Sequence, residues 1–307
     1  MRCHGRLKAW RHVAGEHGFE RFIGIDWSGA RSEDQPVALA IAEATTGGGP
    51  RLTTPPHGRT RKWTRSAARA LLGERLAPGM PRTLVAIDMA VGLPWGSDRA
   101  LFGVVGWRAM VDAMAAEHGL ANELGVVGSA RSTAERINAR FPDGAPFRTD
   151  QTRNDGRFYR RHRVAYYRQV EALVPQAISP WYLGSGGKVG YHTISGMFTL
   201  AQLLARRDRG ELDFTVWPHE GTTLADEGHA IVECYPAAMG AKASVVAADG
   251  VISGDERDAL GIVRWLLARS EQGVLGDAFV LPDLGFGRVD GVACSEQLEF
   301  EGWILGI

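Results

Sequence analysis

Apolar and polar positions along this chain follow two different periods. Near-continuous apolar runs occur at Phe22–Ile25, Leu84–Ile87 and Ala230–Val232, and each reads as a strand covered on both faces. Val37–Ala44 reads as a further strand, Arg51–Thr54 as the start of another, and Phe214–Trp217 as a short one. A helical period takes over at Trp63, Ala67, Ala70, Leu71 and Leu76, and again over Leu101–His118, Ile194–Arg207 and Glu256–Ala268. Turn-forming residues punctuate these runs at Arg31–Pro36, Thr46–Pro50, Gly92–Pro94 and Phe141–Pro146. The resulting order is three strands, a helix, a strand, a long insertion, then helix, strand and helix. That alternation predicts an α/β fold with a mixed sheet covered by helices.

Length and composition narrow the picture. The chain has 307 residues, 45% of them apolar and 23% charged, enough for one large or two modest domains. Residues 1–20 read as a basic N-terminal extension, with His4, His12 and His17 and no apolar signal core. Residues 21–307 read as one domain with a helical and loop-rich insertion at about 97–192. Thirty-five basic side chains balance 35 acidic ones, so any attraction to a polyanion must be local. Cys3, Cys234 and Cys294 are widely spaced and odd in number, which argues against a disulfide framework and fits a cytoplasmic protein. No window reaches the roughly 20 apolar residues of a membrane span.

The chemistry is concentrated where apolar runs end. Asp26 ends the first run, Asp88 the second and Glu233 the third, while Asp258 stands near the start of a predicted helix. A charged group leaving a buried strand is costly unless it is paired or binds a metal. If the strands are neighbours, the carboxylates converge at one end and repel one another unless divalent cations neutralise them. Oxygen-only ligands favour Mg²⁺ or Mn²⁺, and two such ions assist in-line displacement at phosphorus. The plainer reading is that each carboxylate is a cap, a turn former or an arginine partner, with Asp258 facing the positive end of its helix.

Several short motifs, in order, resemble the DUF429 family. They are Gly24-Ile25-Asp26-Trp27-Ser28-Gly29-Ala30, Ile87-Asp88 followed by Val91-Gly92-Leu93-Pro94, Glu233 with Tyr235-Pro236-Ala237, Asp258-Ala259-Leu260, and Glu301-Gly302-Trp303-Ile304. The resemblance spans Ile23 to Ile304 and is weakest over Ser97–His192. It implies an RNase H-like mixed five-stranded sheet and a nuclease activity. It further implies metal ligands at Asp26 on the first strand, Asp88 on the fourth, Glu233 on the fifth and Asp258 on the last helix. One departure stands out: Gly261 occupies the position where the family pattern has a second aspartate.

Around the carboxylates lie groups suited to phosphate. Seven arginines fall between Phe147 and Arg168, interleaved with Phe158, Tyr159, Tyr166 and Tyr167. Guanidinium groups bind phosphates bidentately and aromatic rings stack on unpaired bases, so Arg148–Arg168 is the expected contact with nucleic acid. Arg157, Arg160 and Arg161 are the substrate-binding candidates there, joined by Ser28 after the first strand and Lys188 in a glycine-rich stretch. The competing reading pairs these arginines with nearby carboxylates such as Asp150 and Asp155. Leu183–Val189 fails the phosphate-loop pattern, because Tyr182 stands at the leading glycine position and Val189 at the hydroxyl position. His219 and His229 are candidate acid–base groups near the Glu233 strand.

Three functions compete on this reading. The first is a Mg²⁺- or Mn²⁺-dependent phosphodiester hydrolase with Asp26, Asp88, Glu233 and Asp258 as its catalytic and metal-binding set. The second is an ATP-binding phosphotransferase of the sugar-kinase and actin type, whose first strand ends similarly. The third is a non-catalytic nucleic-acid-binding module with a decayed metal site, which Gly261 brings into view.

Overall fold

The computed structural model describes residues 18–56, 62–120, 127–152, 155–174, 176–184, 189–224, 227–240, 252–282 and 294–307. Strands β1 (Arg21–Asp26), β2 (Ala40–Thr45) and β3 (Arg51–Leu52) form an antiparallel meander. Helix α1 (Arg65–Arg75) leads to β4 (Thr83–Asp88), which lies parallel to β1 on its other side. Helices α2 (Ser97–Phe102), α3 (Trp107–His118), α4 (Ala130–Ala139), α5 (Arg157–His162), α6 (Gln169–Leu173) and α7 (Val189–Asp208) follow. Then β5 (Phe214–Trp217) takes the sheet edge and β6 (His229–Glu233) inserts between β4 and β5, parallel to both. Helix α8 (Gly254–Glu271), a 3₁₀ turn at Leu275–Phe279 and α9 (Cys294–Glu301) close the chain.

The protein is thus a mixed α/β structure with an open sheet in the order β3-β2-β1-β4-β6-β5. The sheet has six strands, one more than the family resemblance implies, and the short strand read at Phe214–Trp217 pairs outside β6 at the edge. The expected helix over Leu101–His118 is two helices, because Gly103 and Gly106 between them adopt φ of +67° and +95°. Residues 1–17 of the expected N-terminal extension and Lys188 lie outside the described residues. Among the described residues no helix is long and apolar enough to cross a membrane.

Both faces of the sheet are buried, which explains the near-continuous apolar runs. Side chains alternate along each strand, so Ile23 and Ile25 of β1, with Val85 and Ile87 of β4, face the core shared with α1, α3 and α7. Phe22, Leu84, Ala86 and Val232 face the opposite core, where α8 packs. Gly24 makes that second packing close. A Cβ at position 24 would come within 2.7 Å of the Ala259 carbonyl and 2.9 Å of the Ile262 Cβ, so only glycine lets α8 lie directly on β1. Helix α8 is itself well started, since the Ser253 hydroxyl accepts from Glu256 N and the Glu256 carboxylate accepts from Ser253 N.

Candidate functional site

Strand parity decides where each carboxylate points. Asp26 ends β1 in the same alternation as Phe22 and Gly24, and Asp88 ends β4 in the alternation of Leu84 and Ala86. Both therefore project on the α8 side. They stand directly opposite each other in the parallel β1–β4 register, Asp26 beside Asp88. Because Gly24 admits α8 two residues before Asp26, the first turns of that helix bring Asp258 and Asp255 to the same end of the sheet. All four aspartates are half-buried.

The consequence is electrostatic. The Asp26 carboxyl is pushed up to about 9, first by burial and then by the negative charge of Asp88, Asp255 and Asp258. Asp26 therefore holds a proton at neutral pH unless a cation offsets its neighbours. The nearby Cys234 thiol is pushed well up by burial and by Asp88, Glu233 and Asp26, so it is an inert thiol. Asp255 was not among the residues singled out from the sequence. It stands three positions before Asp258, on the same helix face, and that spacing was the available signal.

Glu233 follows the opposite parity. It shares the alternation of Ile231 and pairs in register with Ile87, so it lies on the face away from α8. Its carboxylate is fully engaged. Arg168 donates from Nη1 to Oε2 at 2.7 Å and from Nη2 to Oε1 at 2.5 Å, and Val91 N donates to Oε2 at 3.1 Å. Arg168 is itself fully buried, and it also holds Glu171 through Nε at 2.7 Å and donates to the Glu301 carbonyl at 2.9 Å. The Glu301 side chain continues the network by accepting from Trp95 N and Gln169 N. Glu233 is thus an anchor between β6, α6 and the C-terminal segment, not one of the converging aspartates.

Between the two groups lies a cavity of about 60 Å³, walled by Asp88, Arg168, Glu171, His192, Glu233 and Cys234. That is room for a water molecule or two. His192 is a second residue that sequence reasoning passed over. It enters from the first turn of α7, whose backbone lies so close to the turn after β1 that a Cβ on Gly29 would sit 2.1 Å from the Tyr191 carbonyl. The same turn is held by Trp27, whose indole donates to the Ser195 hydroxyl at 3.0 Å. Arg65, buried beneath it, donates to the carbonyls of Ser28 and Ala30 while pairing with Glu33 at 2.7 Å. Ser28 is buried within this turn, one residue beyond Trp27.

The two histidines read from the sequence are structural. The His219 ring lies flat on Trp107, with centroids 4.2 Å apart, and burial pushes its pKa down to about 3. It stays neutral at physiological pH. His229 Nδ1 accepts from Thr83 N at 2.9 Å, which fixes the start of β6 against β4.

The arginine-rich segment divides into buried and exposed members. Arg148 is buried against the rings of Tyr159 and Tyr166, with its guanidinium 4.1 and 4.6 Å from their centroids, and Arg168 is the anchor described above. Neither is placed to meet a macromolecule. Arg157, Arg160 and Arg161 are exposed on α5. Arg157 pairs with Asp155 at 2.8 Å, as the competing reading expects, and Arg161 pairs with Asp143.

Among the described residues, no group of three or more His, Cys, Asp or Glu side chains is disposed to hold a metal ion. The donor chemistry still suits a hard cation: Asp26 and Asp88 are oxygen donors on rigid strand ends, with two further aspartates adding negative charge. Magnesium is commonly held by only one or two carboxylates, with water and substrate phosphate completing its shell. Comparison with known proteins gives no matching family model, no similar curated protein and no similar solved structure.

Proposed function

We propose that this protein is a divalent-metal-dependent phosphodiester hydrolase, a nuclease, on an RNase H-like sheet. One observation carries the reading: Asp26 and Asp88 are register partners on adjacent parallel strands, and α8 adds Asp255 and Asp258 beside them. An antiparallel β1–β2–β3 meander with β4 parallel to β1 supports the fold assignment, as does the resemblance of the motifs to the DUF429 family.

In this reading Asp26 and Asp88 hold Mg²⁺ or Mn²⁺, and Asp255 and Asp258 strengthen the field that attracts it. Asp255 supplies from one turn upstream the second helix carboxylate that is missing at Gly261. A bound ion offsets the charge on the phosphodiester and acidifies a water molecule. The chain's own residues do the rest. Gly24 sets the distance of α8, Arg65 and Trp27 fix the turn that follows Asp26, and Glu233 with Arg168 ties β6 to the segment that approaches Asp88. Arg160 and Arg161 position substrate phosphates.

A second reading, a nucleic-acid-binding module without cleavage, is favoured by Gly261, which stands where the DUF429 pattern has a second aspartate. A thermal titration of metal-free protein with Mg²⁺ and Mn²⁺ separates the two. A ligand that binds only the folded state raises its stability by mass action, about 2.7 kcal/mol at one hundred times Kd. The hydrolase reading expects a rising midpoint in the wild type that is abolished in Asp26→Asn and Asp88→Asn, followed by metal-dependent cleavage of a generic oligonucleotide. No response to either ion would overturn it in favour of the binding module.

A further inference from the structure

A cleft of about 680 Å³ lies at the outer side of the insertion, between the end of α4 and α5. Arg140, Phe141 and Asp143 form one wall and Arg157, Arg160 and Arg161 the other, with His162 at the end of α5. Four guanidinium groups thus face one concavity. Three of them are paired with carboxylates at the surface: Arg140 with Glu117 at 2.7 Å, Arg157 with Asp155 at 2.8 Å, and Arg161 with Asp143. Arg160 has no carboxylate partner among the described residues. The Arg161 and Asp143 side chains are 66% and 74% exposed, and ion pairs that wet contribute little and exchange readily.

The cleft is tied to the aspartate end of the sheet by the chain that leaves it. Beyond α5, Val164 packs next to Gly96 in the loop that follows β4, and four residues later Arg168 grips Glu233 at the end of β6. The same short stretch therefore carries the exposed arginines at one end and an anchor next to the Asp88 strand at the other.

We infer that this cleft receives the phosphodiester backbone of a single strand of nucleic acid, whose phosphates replace Asp143 and Asp155 on Arg161 and Arg157. Arginine binds phosphate oxygens bidentately and more strongly than it holds an exposed carboxylate. The half-buried Phe141 ring, edge-on to Phe158 at 5.0 Å, adds an aromatic wall of the kind that unpaired bases stack upon. The volume is that of a pocket for small ligands, roughly 300–1,000 Å³, which suits one or two nucleotide units of a strand rather than a duplex lying across it. The inference names the substrate class for the phosphodiester reading and rests on it, but its residues are separate from the aspartates.

The test is anisotropy of a labelled short oligothymidylate on the full chain in chelator, so that no cleavage intervenes. Wild type, the Arg160→Gln/Arg161→Gln double variant, Asp143→Asn and Asp26→Asn are compared over a salt series, with thermal midpoints confirming that each folds. Losing two phosphate contacts should weaken binding about tenfold or more and reduce the salt slope by about two. Asp143→Asn removes the competing anion and should tighten binding roughly two- to fivefold. Asp26→Asn should keep the same dependence on the arginines, so binding survives even if the metal titration fails. An affinity unchanged in the double variant would overturn the inference. So would thymidine monophosphate competing as well as the strand, since the cleft would then be a mononucleotide site.

Discussion

Two buried-looking carboxylates end adjacent parallel strands, Asp88 on β4 and Glu233 on β6, and they have opposite fates. Glu233 is neutralised by Arg168, a residue 65 positions away in sequence, and the pair is sealed by Glu171, Val91 N and the Glu301 carbonyl. Asp88 faces Asp26 across the register, with two more aspartates contributed by α8. One site is an acid held by a buried arginine; the other gathers four aspartates whose charges raise the Asp26 pKa. The lesson is that an acidic group at a strand end identifies no chemistry until its counter-charge is found. Like charges drawn together carry an electrostatic cost that an external cation can relieve.

The largest break in this comparison comes from removing the compensation. Arg168→Ala leaves two buried carboxylates without a partner and should cost about 3–5 kcal/mol in a denaturant titration. Adding Glu233→Gln to that variant should recover part of the loss, because the two residues share one network. Additive effects would show that the anchor is not a coupled unit.

Next in size is Gly24→Ala. The new methyl meets the Ala259 carbonyl and Ile262, so α8 must move off β1, at a cost of about 1–3 kcal/mol. The same displacement should draw Asp255 and Asp258 away and bring the Asp26 pKa down towards its ordinary value, as a carboxyl titration followed by NMR would register. An unmoved pKa would mean that α8 does not set the field at Asp26.

Asp26→Asn acts with the opposite sign. In metal-free protein the folded state keeps a proton on Asp26 up to about pH 9, while the unfolded chain releases it near 3.8. The folded form therefore binds more protons across that window, and the stability associated with this group falls as pH rises through it. Asp26→Asn should remove the slope and raise the thermal midpoint at pH 8 while changing little at pH 4. A variant less stable than wild type at pH 8 would show that Asp26 is already compensated.

Much of the fold was legible in the sequence. The apolar runs at Phe22–Ile25, Leu84–Ile87 and Ala230–Val232 are strands, because only segments buried on both faces carry so few polar residues. The amphipathic period of 256–268 is α8, which begins two residues earlier at Gly254, behind the Ser253–Glu256 capping box. The glycine pair that splits α2 from α3 was visible as residues, but its effect depends on backbone angles that spacing alone does not reveal. The exposed arginines of α5 and the buried Arg148 and Arg168 looked alike in one basic run. Burial separated them, and burial is a property of the packing.

The sequence by itself determined which residues end the strands in carboxylates, since an aspartate or glutamate closing an apolar run needs no partner to be recognised. Tertiary structure decided which of them meet. Asp26 and Asp88 share a face because β1 and β4 pair in parallel with those two residues opposite each other. Glu233 falls on the other face because β6 pairs one residue out of step, against Ile87. Side chains alternate along a strand, so a register offset of one residue, invisible in the sequence, sends a carboxylate to the opposite side of the sheet.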